Sequence, residues 1–397
     1  MPTDVVVTGM GCVSPLGLTV EANRQALWQG RDALNKARRF KSRYASLLYF
    51  GEVDQDDEVL LDRAGLSASE GHTRTDALAV LAFAQAVADA RLSPAELADS
   101  STALISASTV GGMCMTNQLY KDSNLQSDTQ AFLESYSASA HAMQLVKRYG
   151  IKGLVDVINT ACSSSANAIM NGVRLIRTGR ARRVIVGGVD SLSKYTVNGF
   201  NSLQILSEEK CRPFDAQRKG LNLGEGAGFL VLELAELAGS RPVYAKLAGW
   251  GNANDAFHTS SMSDQATGVL RAMQMAVEEA GLIPAQIDYI NAHGTGTLNN
   301  DQVELTGFAS FFEKVPPFAS TKSYVGHTLG AAGALEAIYS ILALMHGEMY
   351  GSLNFETPID GLGLHPLASS RQASLQYVMS NSYGFSGNCT SLIFEKA

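Results

Sequence analysis

The stretch VINTACSSSANAIMNGVRLIRTGRA, residues 157–181, decides how this chain folds. It follows on from GLVDVI (153–158), whose β-branched and aliphatic residues predict a strand. Beyond the turn, Ala166, Ile169, Met170, Val173 and Ile176 recur at helical spacing and fall on one side of a helix. Cys162 therefore sits at a strand-to-helix turn, with three serines behind it. A second passage, YVGHTLGAAGALEAIYSILALMHGEM (324–349), repeats the pattern: one reactive residue, His327, in a turn that leads into a helix of small residues. DVVVTGMG (4–11) and VYAKLAGWGNAND (243–255) are likewise each a strand running into glycines. The halves read as repeats. Their boundary falls in LAELAGSRP (234–242), giving residues 1–238 with Cys162 and residues 239–397 with His293, Lys322 and His327. Amphipathic helices over 73–92 and 268–282 alternate with buried strands over 182–190 and 228–235, which predicts a layered α/β fold.

A composition of 46% hydrophobic and 17% charged residues with 37 glycines describes a compact globular enzyme rather than a disordered or fibrous chain. The five cysteines are scattered, with no CxxC pair and no Cys/His cluster at ligand spacing, so neither a disulfide framework nor a metal site is expected. The N-terminus does not read as a signal peptide, and no apolar run approaches the roughly 18 residues of a membrane helix, so a cytoplasmic protein is expected. A net charge of −7 argues against nucleic-acid binding and requires a local basic patch for any acidic partner.

Three residues carry candidate chemistry. Cys162 at a helix N-terminus is expected to favour thiolate over thiol; the alternative is a buried, inert cysteine. His293 lies in NAHGTGT (291–297), after strand-like IDYI, and His327 lies in STKSYVGHTLGAAG (320–333), five residues after Lys322. Each histidine alone reads as structural; a Cys/His/His set on glycine-flanked loops reads as a site where imidazoles approach a small reacting group. GLNLGEGAG (220–228) lacks the phosphate-loop pattern and leads into a strand, which points to tight packing.

Six ordered stretches, VVVTGMGCVSPLG (5–17), NTACSSS (159–165), RPFDAQRKGLNLGEGAG (212–228), NAHGTGT, STKSYVGHTLGAAG and NSYGFSGN (381–388), give the chain its likeness over essentially its whole length. It resembles the β-ketoacyl-acyl carrier protein synthases, condensing enzymes of the thiolase superfamily. The resemblance implies a thiolase-like αβαβα fold built from two similar halves. It implies that Cys162 accepts an acyl chain from a carrier-protein thioester, and that His293 and His327 promote decarboxylation of a malonyl thioester. Lys322 would be a further catalytic residue, standing near Glu336 and His327 and organising the site electrostatically, with an ordinary surface lysine as the alternative. The N–H groups of Cys162 and Phe385 would form the oxyanion hole, and Val110, Thr295, Thr297 and Phe385 would contact substrate. Asp301 and Glu304 would belong to a supporting network, although the first turn of a helix favours acids in any case. No cofactor is implied. The partners implied are acyl carrier protein and either a second copy or a related chain-length-factor-type subunit, paired across a two-fold axis at the strand near RRVIVGG.

The chain departs from the family at four places. The gating loop reads Gly384-Phe385-Ser386-Gly387 instead of Gly-Phe-Gly-Gly, and serine disfavours positive φ. TLNND (297–301) resembles synthases of aryl polyene and related polyene pathways, with housekeeping fatty-acid elongation as the alternative. Val110 stands where a bulkier aliphatic often limits chain entry. The carrier-docking cations are thinned: SEEKCRP (207–213) carries two glutamates and GHTRTD keeps only Arg74, which leaves the ARRFKSR cluster (37–43) either as a docking site or as an ordinary solvated charge run. A non-catalytic chain-length-factor-type subunit would lack the nucleophile, and a degradative thiolase would need a second late cysteine, for which Cys389, entering a strand, is poorly placed.

Overall fold

A computed structural model describes residues 4–125, 132–359 and 361–397. Among the described residues ten strands form the central sheet: β1 (Val5–Val13), β2 (Thr102–Ala107), β3 (Val155–Ile158), β4 (Arg183–Asp190), β5 (Gly226–Leu234), β6 (Ala245–Asn254), β7 (Tyr289–Asn291), β8 (Phe318–Ala319), β9 (Tyr377–Tyr383) and β10 (Asn388–Lys396). Their spatial order is β8-β7-β9-β10-β6-β1-β5-β4-β2-β3. Outward from the centre, β1-β5-β4-β2-β3 and β6-β10-β9-β7-β8 follow the same course, two antiparallel pairings and then two parallel ones. The two runs meet where Val6 and Val7 pair with Lys246 and Ala245.

Strand alternation sorts side chains to the two faces of the sheet. Leu230 and Leu232 of β5 and Leu392 and Phe394 of β10 enter one shared core with helices α2 (Ser164–Arg177) and α7 (Ala332–His346), which fill the middle layer. Phe229 and Val231 point the other way, onto the outer helix α1 (Arg74–Asp89). In the second half Met379 and Ile393 do the same toward α4 (Thr267–Ala280) and α5 (Leu298–Phe311). This gives five layers, the thiolase-like αβαβα fold.

The repeat extends to single residues. A Cβ on Gly9 or Gly11 of β1 would lie 2.4 or 2.1 Å from the carbonyl oxygens of Ala86 and Ala82 on α1; on Gly249 or Gly251 of β6 it would lie 2.2 or 2.0 Å from those of Ala276 and Ala272 on α4. Each half thus seats its outer helix directly on a glycine pair of its first strand. No side chain fits there.

Three expectations are corrected. RRVIVGG is β4, paired on both sides, so it cannot pair with another subunit; the open edge is β3, whose outer side is free of sheet partners among the described residues. An apolar stretch of membrane-spanning length does exist, Leu329–His346, and it is 89% buried as the middle-layer helix. Arg74 does not serve docking. Its guanidinium meets Glu225, itself almost wholly buried, at 2.6 Å, Asp57 at 2.7 Å and the carbonyls of Val53 and Gln55, both at 2.9 Å. Arg74→Ala leaves the Glu225 carboxylate buried and unpaired, which is expected to cost about 3–5 kcal/mol. Urea unfolding should read that loss as a lower midpoint; a shift worth under about 1 kcal/mol would contradict the pairing.

Candidate active site

The turn before α2 is bent through Ala161, at φ 55°, which lifts Cys162 into a cavity. The serines behind it build the mount. Ser163 Oγ donates to Asn388 Oδ1 at 2.7 Å, Ser164 Oγ accepts from Thr160 N at 2.9 Å, and Ser165 Oγ accepts from Ala334 N at 2.8 Å, fastening α2 to α7. Asn388 also accepts from Asn167 Nδ2 at 2.8 Å and Asn252 Nδ2 at 3.0 Å.

Burial pushes the Cys162 thiol up to about 11, opposed by the Lys322 charge and by the N–H groups of Phe385 and Cys162. This corrects the expected thiolate. The N–H of Ser164 in the first turn donates to Ala161 O at 3.1 Å rather than to the sulfur. Thiolate should therefore be scarce at neutral pH and rise about tenfold per pH unit until the thiol titrates. Alkylation of Cys162 by iodoacetamide should accelerate accordingly from pH 7 to 10. A rate already flat above pH 8 would contradict the burial argument.

His293 follows β7, and the carboxylate of Glu304 on α5 accepts its N–H and that of Gly294, both at 2.8 Å. Asp301, one turn earlier on α5, accepts from Gly296 N and from Phe214 N. These two acids hold the 293–297 turn by its backbone. Burial pushes Glu304 up to about 8. Lys322, on the short helix α6 (Lys322–Val325), is 2% exposed; its Nζ donates to Glu336, to His293 O at 2.7 Å and to His293 Nδ1 at 3.2 Å. His327 Nδ1 accepts from Leu329 N at 3.1 Å.

Both Nδ1 atoms thus accept, which leaves the ring proton of each histidine on Nε2. Burial, reinforced by the Lys322 charge, holds both imidazoles well below their usual range, so they are neutral. His327 Nε2 is buried without a hydrogen-bond partner among the described residues. The rings stand edge to face at 5.5 Å, and the ligand-type atoms of Cys162, His293 and His327 lie within 4.8 Å of one another. That donor set could be read as a metal site. A cation there would have to displace both Nε2 protons, whereas an oxygen gaining negative charge is met by them as they stand.

The cavity, about 340 Å³, is also lined by Thr295, Thr297, Leu298, Asn299, Asn300, Tyr383 and Phe385. Asn299, the first asparagine of the NND run, pins the opposite wall, accepting from Met262 N at 2.8 Å and donating to Met262 O at 3.1 Å. Phe385 stacks on Phe200 at 5.7 Å; on the far side of that pair lies a second cavity of about 670 Å³, which takes in Val110, Met113 and Cys114. Ser386 does occupy the left-handed region, at φ 64°, which costs a residue with a Cβ about 1 kcal/mol. Its N–H donates to Thr259 O at 2.8 Å and its carbonyl accepts from Asn254 Nδ2 at 3.0 Å.

Two features escaped the sequence. Asp190, at the end of β4, is fully buried and accepts from Ser108, Thr109, Val110 and Gly330, tying the turn before Val110 to the turn after His327. Tyr383 lays its ring edge to face on His293 at 5.6 Å. An acid at the mouth-side end of an apolar strand was the available signal for the first; nothing local marks the second.

Residues 3–238 match the beta-ketoacyl synthase N-terminal domain and residues 244–356 its C-terminal domain. The chain belongs to the β-ketoacyl synthase family of condensing enzymes. It is 34% identical to 3-oxoacyl-[acyl-carrier-protein] synthase 2 of Rhizobium meliloti, over 99% of this chain and 98% of that one. It is 32% identical to the mitochondrial 3-oxoacyl-[acyl-carrier-protein] synthase of Arabidopsis thaliana, over 98% and 92%. Among solved structures, the ishigamide ketosynthase/chain length factor matches with TM-score 0.93 and 27% identity, over the full length of both chains. A ketosynthase in complex with its chain length factor from Xenorhabdus doucetiae matches with TM-score 0.86 and 31% identity, over 100% of this chain and 98% of that one. A type II polyketide acyl-carrier protein complex with its ketosynthase matches at 0.89 and 25%, over the full length of both.

Proposed function

We propose that this chain joins a malonyl unit to a Cys162-bound acyl chain, both delivered by acyl carrier protein, and releases a β-ketoacyl-carrier protein and carbon dioxide. The observation that carries the reading is the convergence of one thiol and two neutral Nε2–H donors on a single enclosed point. In the first step sulfur attacks the acyl thioester and the carrier thiol leaves with the Cys162 proton. In the second, the malonyl C–C bond breaks, carbon dioxide departs, and the electron pair becomes an enolate whose oxygen is held by His293 and His327. The enolate carbon attacks the acyl-Cys162 carbonyl. Its oxygen anion faces the N–H groups of Cys162 and Phe385, and collapse frees the thiolate, which takes up one proton.

Lys322 and Glu336 are positioning residues in this account: the ammonium fixes the His293 tautomer and the carboxylate fixes the ammonium. Thr295 and Thr297, whose hydroxyls are 2.9 Å apart on the cavity wall, suit the polar arm of a thioester. The cavity beyond Phe385 and Val110 suits the acyl chain. Residues 1–238 and 239–397 form the two catalytic halves, one bringing the nucleophile and the other the histidines. The ketosynthase/chain-length-factor relatives support a second copy or a related subunit as partner, and in this reading it pairs along the open edge of β3. The cytoplasm is the fitting compartment for carrier-bound intermediates and five unbridged cysteines.

The pathway we favour is polyene or polyketide synthesis, supported by the polyketide ketosynthases among the structural relatives and by Asn299 and Asn300 lining the cavity. Saturated and polyunsaturated acyl carriers of equal length, offered with malonyl carrier, test it. Faster condensation of the polyunsaturated chain is expected. Equal or better use of the saturated chain would favour fatty-acid elongation.

A further inference from the structure

We infer that the acidic carrier protein docks in the groove between loop 37–45 and helix α3 (Lys194–Ser202); the inference rests on the carrier-dependent reading above.

Lys219, on the wall of the Cys162 cavity, and the nearby-in-sequence Lys210 and Arg212 are already ion-paired. Lys219 meets Glu209 at 2.6 Å, Lys210 meets Asp32 at 2.8 Å and Arg212 meets Glu356 at 3.6 Å, while Arg74 is bound to Glu225. None of these has charge to spare for a partner. The groove, about 960 Å³, is different: Arg38, Lys41, Arg43 and Lys194 line it, all four are exposed, and none makes an ion pair among the described residues.

The loop is built to keep those charges free. Glu52, the nearest acid in sequence to fold back on it, spends its carboxylate on the backbone N–H groups of Arg38, Arg39 and Phe40 at 2.8–3.2 Å. Asp54 and Asp56 are taken by Arg39 at 2.7 and 2.9 Å. Arg43 lies over the Tyr44 ring, 4.7 Å from its centre, and the Tyr44 hydroxyl accepts from Asn201 Nδ2 of α3 at 2.9 Å, so the loop is fastened to the helix.

That helix joins the groove to the chemistry. Lys194, Asn198 and Asn201 face the groove, whereas Phe200 and the following Leu203 line the Cys162 cavity. Nine helical residues span only about 13 Å. A carrier seated on the groove therefore holds its thioester arm within reach of the mouth. A chain of net charge −7 offers an acidic partner no overall attraction, so a local cluster of four cations free of ion pairs supplies both the site and the orientation of approach.

The test uses the full chain with octanoyl carrier protein and, separately, octanoyl N-acetylcysteamine, a thioester with no protein attached. In Arg38→Glu/Lys41→Glu/Arg43→Glu, KM for the carrier substrate should rise about 10-fold or more at low salt, and the salt dependence seen in the wild type should largely vanish. Loading of Cys162 from the small thioester should stay within about twofold of the wild type, and Arg180→Glu/Arg271→Glu/Lys314→Glu, an equal change of net charge at exposed residues outside the groove, should leave carrier KM nearly unchanged. An unchanged carrier KM in the groove variant would overturn the inference. So would a parallel loss with the small thioester, or an equal loss in the charge-matched control. A wild-type chain inert toward both substrates would instead remove the condensing reading on which the inference depends.

Discussion

Cys162→Ala is expected to abolish acyl transfer and leave the protein folded. Cys162 faces the cavity rather than the close-packed core, and the turn that carries it is held by Ser163, Ser164 and Asn388, none of which uses the sulfur. Alanine keeps the backbone and removes the only group that can carry the chain as a thioester, so turnover should fall by about 10⁴-fold or more. Intact mass after exposure to acyl carrier should show no adduct on the variant, with an unfolding midpoint close to wild type. An adduct at the wild-type level would mean that another residue is acylated. Cys162→Gln sharpens the test, because its neutral amide stands where the acyl thioester would be. That variant should still release carbon dioxide from malonyl carrier while making no condensed product.

The second large effect separates the histidines from the thiol. His293→Ala and His327→Ala each remove one Nε2–H donor aimed at the enolate oxygen, which should slow condensation on the order of 100- to 1,000-fold. Loading of Cys162 should stay within a few-fold, because the N–H groups that face its sulfur belong to Cys162 and Phe385. The two variants should differ in stability. His327→Ala strips the buried Leu329 N–H of its acceptor, a loss worth about 1–3 kcal/mol, whereas Lys322 in His293→Ala keeps both Glu336 and the residue 293 carbonyl. Single-turnover loading followed by malonyl addition reads both steps on one sample. Failure to load combined with normal decarboxylation would assign a histidine as the base that activates sulfur.

The repeat was legible because it is written locally. A strand that runs into a glycine pair needs the neighbouring helix to approach its backbone, and both DVVVTGMG and VYAKLAGWG carry that need in plain letters. Cys162, His293 and His327 were legible for the same reason, each lying in a short turn between a strand or short helix and a helix. What escaped was decided by residues far apart in the chain. The charge state of Cys162 follows from how much protein closes over it, and no window of sequence reports that. Arg74 reads as a surface cation until Glu225, 151 residues away, is brought beneath it. The open sheet edge was misplaced because β4 and β3 are both short aliphatic runs, and only the strand order tells an inner strand from an outer one. Asp190 ties two turns, 108–111 and 328–330, whose meeting is a product of the fold.

The most direct measurement follows one acyl group through the wild-type chain. Acyl carrier is added in slight excess, the mass of the peptide bearing Cys162 is taken, malonyl carrier is then added, and carbon dioxide and the peptide mass are followed together. The account predicts one acyl group on Cys162, its disappearance in step with carbon dioxide release, and a β-ketoacyl chain on the carrier in equal amount. An acyl group found on a different residue, or one that stays on Cys162 while carbon dioxide is released, would contradict it.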